Sequence, residues 1–221
     1  MKIFYILSGI LKKYLFLVFV LLFLSGCARQ KINKVENIQK KNEVTKLDLK
    51  DKNVLMIIAP DQFRDEELFD TKEVLESYDT NITVVSSGVK EAKGMMGAVF
   101  KVDGDISDVK VDDYDAIIFI GGFGAKTYFD DKAVINIARS SYESGKVTAA
   151  ICIAPVILAN AGLLDGKKAT VYSEMKEGII SKGANYTGDP VTQDGRIITG
   201  NGPDAAKSFG EAIAKELSKG Q

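Results

Sequence analysis

Histidine is absent from all 221 residues. Its absence removes the commonest general base near neutral pH and the commonest nitrogen ligand for zinc, so any chemistry here proceeds without imidazole. Cysteine is nearly absent as well. With 2 cysteines, Cys27 and Cys152, neither a four-thiolate metal site nor a disulfide framework can be built. An excess of charge of one sign is also missing: 29 Lys and Arg are spread among 30 Asp and Glu, for a formal net charge of -1 and a pI near 5.7. That balance gives no reason to expect nucleic acid as a partner.

A long membrane-spanning run is lacking too. Tyr14 to Leu24 is unbroken and apolar, but it is about half the length a spanning helix needs. Counting from Ile3 lengthens it at the cost of burying Lys12 and Lys13, which leaves a plain transmembrane anchor as the alternative. Two lysines, an apolar core, small residues and then Cys27 follow the order of a secretory signal peptide. The stretch "LSGC", Leu24 to Cys27, resembles the bacterial lipobox, in which the signal is cut before the cysteine and the thiol carries a diacylglycerol. The other reading is a signal peptide that merely contains a cysteine. On the first, Cys27 becomes the lipid-bearing first residue of a protein held at the bacterial cell membrane, with its domain outside the cytoplasm.

What is present divides into three parts: residues 1–26 as the lipoprotein signal peptide, 27–50 as a lipid-anchored flexible tether and 51–221 as the folded domain. The tether is rich in Lys, Asn, Glu and Gln without an aromatic residue, a composition that cannot bury enough surface to fold alone.

In the domain, short apolar runs alternate with segments of helical period. "NVLMIIA" (53–59), "NITVVSS" (81–87), "DAIIFIGG" (115–122) and "KVTAAIC" (146–152) read as buried strands. "DEELFDTKEVLESY" (65–78), "KAVINIARSSYESG" (132–145), "APVILANAGLL" (154–164) and "PDAAKSFGEAIAKEL" (203–217) read as helices, the last with Ala206, Phe209, Ile213 and Leu217 on one face. Residues between the second and third strands look like an irregular hairpin or loop excursion. "ATVYS", the Asp194-Gly195 turn and "RIITG" add further strands. The alternation predicts an α/β fold, a flavodoxin-like three-layer sandwich whose mostly parallel sheet is covered on both faces.

In such a sheet ligands bind beyond the carboxyl ends of the strands. Cys152, Gly121 with Gly122, and the loop 60–64 all fall there. Cys152 sits between a strand and a helix, as on a nucleophile elbow, where the following N–H groups face any oxyanion and the helix amino terminus lowers a thiol's pKa. A small apolar residue in a core is the competing reading of the same position.

Five stretches, "FRDEEL" (63–68), "FIGGFGA" (119–125), "AAICIAP" (149–155), "AGLLDGKKAT" (161–170) and "DGRIITGNGP" (194–203), resemble the ThiJ/PfpI, or DJ-1/PfpI, family in order and spacing. The resemblance implies that Cys152 is the nucleophile and Glu67 a protonated carboxyl that donates a hydrogen bond to its thiolate. It assigns oxyanion or substrate-binding N–H groups to Gly121, Gly122 and Ile153. Two glycines also suit a tight turn, and a first-turn acid can simply be solvated. The resemblance further implies a homodimer and a reaction needing neither metal nor cofactor. Family peptidases and related glutamine amidotransferase domains carry a histidine beside the cysteine or near it in space. Ile153 takes the adjacent position, and Tyr172, a candidate pocket residue, stands near where others have a histidine, so protease and glutaminase activities are poorly supported.

Two classes of function remain. In the first, an enzyme of glyoxalase or deglycase type acts on a small carbonyl compound: Cys152 adds to the aldehyde of a 2-oxoaldehyde and Glu67 moves a proton between adjacent carbons. In the second, a non-catalytic module is redox-responsive through Cys152, or chaperone-like with a vestigial pocket.

Overall fold

The computed structural model describes residues 47–220. The expected signal peptide, Cys27 and most of the expected tether lie outside the described residues. Among those described, no helix is long and apolar enough to cross a membrane.

The first strand shows why the sheet is buried on both sides. Along β1 (Asn53–Ile57) and its extension, Val54, Met56 and Ile58 enter one apolar cluster while Leu55, Ile57 and Ala59 enter the other. This is the two-residue period of a strand whose faces both lie under helices. The central sheet adds β3 (Asn81–Ser86), β6 (Gly104–Asp105), β7 (Ala116–Phe119), β8 (Val147–Ile151), β11 (Val191–Asp194) and β12 (Ile197–Gly200), in the order β11-β12-β8-β7-β1-β3-β6. All neighbours are parallel except β11 and β12, which form a hairpin through Gly195.

Helices α1 (Asp65–Glu76) and α5 (Ala206–Leu217) cover one face through Leu68, Leu75, Phe209 and Ile213. Helices α2 (Lys132–Glu143) and α3 (Pro155–Asn160) cover the other, and α4 (Lys176–Ile180) lies further along the chain. The three-layer α/β sandwich expected from the alternation is what forms.

Four local expectations change. The third predicted helix stops at Asn160 because the chain turns back: Leu163 N–H reaches the Leu158 carbonyl at 3.0 Å and Gly162 N–H the Ala159 carbonyl at 2.9 Å, with Gly162 at φ +78°. "ATVYS" contributes only β9 (Lys168–Ala169), which pairs with β10 (Asn185–Tyr186) in a separate ladder. Its next N–H groups are diverted, Thr170 to the Thr199 hydroxyl at 2.9 Å and Tyr172 to the Cys152 carbonyl at 2.8 Å. The loop after β1 holds a strand, β2 (Asp61–Phe63), which joins β4 (Glu91–Gly94) and β5 (Val99–Lys101) in a small sheet; those two form the irregular hairpin expected from the sequence. Leu49, placed in the tether by composition, is 3% exposed within the core, so the compact unit begins at Leu47.

Candidate active site

Strand order reverses around β1 and β7, and the segments leaving the carboxyl ends of β1, β7 and β8 converge there. They bring Glu67, the Gly121-Gly122 turn and Cys152 together.

Cys152 follows β8 and has φ +63°, the left-handed region that few non-glycine residues occupy. Backbone bonds hold it there. Its N–H donates to the Gly200 carbonyl at 2.9 Å, and its own carbonyl accepts from Tyr172 N–H at 2.8 Å. It is 9% exposed, and its side chain lines a cavity of about 280 Å³ with Glu67, Met95, Phe123, Ile153 and Tyr172.

Glu67 projects from the first turn of α1 and is 0% exposed. Its Oε2 accepts the Gly121 N–H at 3.1 Å, while Oε1 is buried without a hydrogen-bond partner, and the Cys152 thiol lies beside the carboxyl. Burial pushes the carboxyl up from 4.5 to about 7; contact with Cys152, the Gly121 N–H and the charge of Arg64 hold it back.

Burial, followed by the negative charge of Glu67, likewise pushes the Cys152 thiol up from 9.0 to about 12, against the pull of the Gly122 and Ile153 N–H groups. The expectation of a thiol lowered by its helix is therefore corrected. Helix α3 has only 6 residues and starts beyond the elbow at Pro155, so it offers little dipole, and the nearest charge is a carboxylate.

The two glycines do different things. At Gly121 a Cβ would stand 2.5 Å from Cys152 Cβ and 2.6 Å from Glu67 Oε2, so only the bare backbone fits between them. Its N–H is committed to Glu67, which corrects its expected role at an oxyanion and leaves Gly122 and Ile153 as the donors facing the sulfur. Gly122, at φ +95°, lies against the backbone of residues 62–64, where any side chain would overlap main-chain atoms.

Tyr172, 39% exposed, stands at the cavity with Glu174 and Pro203. Arg64 also lines it, paired with Glu66 at 2.8 Å. Sequence reasoning missed Met95, Phe123, Glu174 and Pro203, although Phe123 and Pro203 lie inside two of the quoted stretches; Arg64 ends the loop 60–64 that it placed at the strand ends. Met95 comes from a hairpin whose sequence has no periodic signal. Among the described residues no group of three or more Cys, Asp or Glu is arranged to hold a metal ion.

A model of the DJ-1/PfpI family matches residues 52–216. An uncharacterized protein of Methanocaldococcus jannaschii is 44% identical over 174 residues, covering 77% of this chain and 85% of that one. A Pyrococcus abyssi protein named as a deglycase is 29% identical, covering 67% and 90%. The crystal structure of a ThiJ/PfpI domain protein from Brachyspira murdochii superposes with a TM-score of 0.75 at 30% identity, covering 79% of this chain and 99% of that one.

Proposed function

Because the chain belongs to the DJ-1/PfpI family, we propose that Cys152 and Glu67 act together on small carbonyl compounds in a reaction of glyoxalase or deglycase type on 2-oxoaldehydes. The observation that carries this reading is the burial of a thiol and a carboxyl side by side in one cavity, with the N–H groups of Gly122 and Ile153 facing the sulfur. The Pyrococcus abyssi relative named as a deglycase supports the reaction class.

The steps follow from the pair's ionisation. With Glu67 raised to about 7, a substantial fraction is carboxylate at neutral pH and able to accept the thiol proton as sulfur bonds to the aldehyde carbon. Moving that proton removes the charge that opposes the thiolate and makes Glu67 a donor, so thiolate and carboxylic acid form together. The oxygen of the hemithioacetal takes its negative charge beside Gly122 and Ile153 N–H and receives the proton that Glu67 took from the thiol, which leaves Glu67 a carboxylate again. Glu67 removes the hydrogen from the first carbon and returns it to the second, oxidising one as the other is reduced. Water hydrolyses the resulting thioester, releasing a 2-hydroxy acid and the free thiol. The test is turnover of methylglyoxal to lactate, present in the wild type and abolished in Cys152→Ala; no turnover at any pH between 6 and 9 overturns the reading.

One observation favours a non-catalytic module instead: at 9% exposure and with its pKa raised, Cys152 resembles a packed thiol. Resistance to iodoacetamide until the protein unfolds would establish that reading. We also propose lipid anchoring through Cys27, on the strength of "LSGC" after an apolar run; Cys27→Ser then releases the protein from membranes or blocks its processing, and unchanged fractionation with no lipid mass on the amino-terminal peptide refutes it. A homodimer is proposed on family resemblance, to be checked by light scattering.

A further inference from the structure

The hairpin of β4 and β5 is tied to the beginning of α1 by one buried carboxylate. Asp65, 7% exposed, accepts the Met96 N–H and the Ala98 N–H, each at 2.9 Å, one on each oxygen. Gly94 presses so closely on the same carboxylate that a Cβ there would overlap both oxygens. Between these ties, Met95 N–H donates to the Phe63 carbonyl at 2.9 Å. The backbone of the turn is thus held at three successive points, and the Met95 side chain is delivered half-buried to the cavity that Cys152 lines. There its Sδ accepts the Phe123 N–H at 3.4 Å, joining the hairpin to the turn that carries Gly121 and Gly122.

We propose that Met95 is the specificity-determining wall of the site and that Asp65 is its positioning residue. The proposal rests on the reading of Cys152 as the nucleophile. Met95, Phe123 and Ile153 give the space beside the sulfur an apolar lining, and the cavity of about 280 Å³ has limited room beyond the reacting carbon. The substrates that fit are carbonyl compounds with a small substituent next to the aldehyde. Asp65 acts at a distance: it lies two positions before Glu67 on the same helix, so one rigid piece of backbone sets both the carboxyl and the opposing wall.

The test compares rates of Cys152 alkylation by iodoacetamide and by its bulkier N-benzyl derivative at pH 8, as a ratio within each protein. In the wild type the small reagent is faster by at least about tenfold, and Met95→Ala narrows that ratio by at least about tenfold, the scale on which an apolar pocket discriminates one or two methylenes. Met95→Leu, of similar volume, keeps the ratio. Asp65→Ala narrows it too and speeds hydrogen exchange at the Met96 and Ala98 amides; if that variant does not fold, Asp65→Asn, which keeps a single acceptor oxygen, is measured in its place. An unchanged ratio in Met95→Ala, with Cys152 reactive, overturns the wall and leaves the nucleophile standing. Faster exchange in the Asp65 variant with an unchanged ratio overturns the positioning role. Size-dependent labelling without methylglyoxal turnover supports the wall and refutes the proposed reaction. No labelling by either reagent in the folded proteins overturns both.

Discussion

Replacing Glu67 by Gln should make the protein more stable at pH 8 and leave its stability unchanged near pH 4. The carboxyl is fully buried, and burial raises it from 4.5 to about 7. At about 1.4 kcal/mol for each pH unit, holding this group ionised inside the fold costs about 3 kcal/mol. The sign follows from proton binding. Between 4.5 and 7 the folded protein keeps the proton and the unfolded chain has lost it, so stability falls as pH rises through that window. Below 4.5 both states are protonated and the cost disappears; above about 7 it is complete. Gln keeps the size and a hydrogen-bond donor without the titration.

Urea denaturation of wild type and Glu67→Gln, from pH 4 to 8.5 with reductant present, measures the difference directly. It should grow from near zero to about 3 kcal/mol, or about 6–12 °C in Tm for a domain of this size. The upper limit stays below 9.0, the midpoint of the thiol's own titration in the unfolded chain. A variant less stable than wild type at pH 8, or a difference that does not change with pH, would refute the claim that Glu67 is carried uncompensated in the site.

Three further outcomes follow from the same geometry. The kcat/KM for a 2-oxoaldehyde should rise with pH through about 7, because Glu67 must lose its proton before it can accept one from the thiol; a flat profile from pH 6 to 8 counts against it as the base. Gly121→Ala should abolish turnover and cost about 1–3 kcal/mol, since its Cβ would lie 2.5 Å from Cys152 Cβ and 2.8 Å from the Ile151 carbonyl; the check is thermal melting beside the activity assay. Leu49→Ala should cost about 2 kcal/mol or more by urea denaturation, as for a core leucine, whereas a tether residue would show no effect.

The frame was legible because its strands are short apolar runs and its helices are periodic. Val54, Leu55, Met56 and Ile57 alternate between two clusters, and the 65–76 and 206–217 helices show a buried face every third or fourth residue. Strand β2 was not: three residues, "DQF", are too short for alternation, and Gln62 takes φ +57° where the register shifts. Cys152 and Gly122 could be placed at strand ends from the chain order alone. The pairing of Cys152 with Glu67 came only through family resemblance, because residues far apart in sequence leave no local trace of their contact. The direction of the thiol's pKa was misread for a physical reason. A helix amino terminus is visible in a sequence, but the depth of burial and the neighbouring carboxylate that outweigh it are properties of the assembled site. Likewise, two adjacent glycines announce a turn without saying that one N–H is given to Glu67 and the other faces the sulfur.

Where the fold departs from what packing alone would select is itself informative. At position 152 a glycine would take φ +63° freely, while any other residue is held there at a cost of about 1–2 kcal/mol. At position 67 an apolar side chain would fill a fully buried place without the desolvation that drives this carboxyl to about 7. Each substitution, taken alone, would relieve the structure. The chain instead keeps a strained cysteine and a buried acid, and the two face each other across Gly121, where no side chain fits. Elsewhere in the described core the largest fully buried side chains are apolar and follow the period of their strand or helix. Two independent costs meeting in one cavity are hard to account for by stability, since each could be removed without the other. They are expected where a thiol and a carboxyl must exchange a proton away from water, with no histidine in the chain to do it.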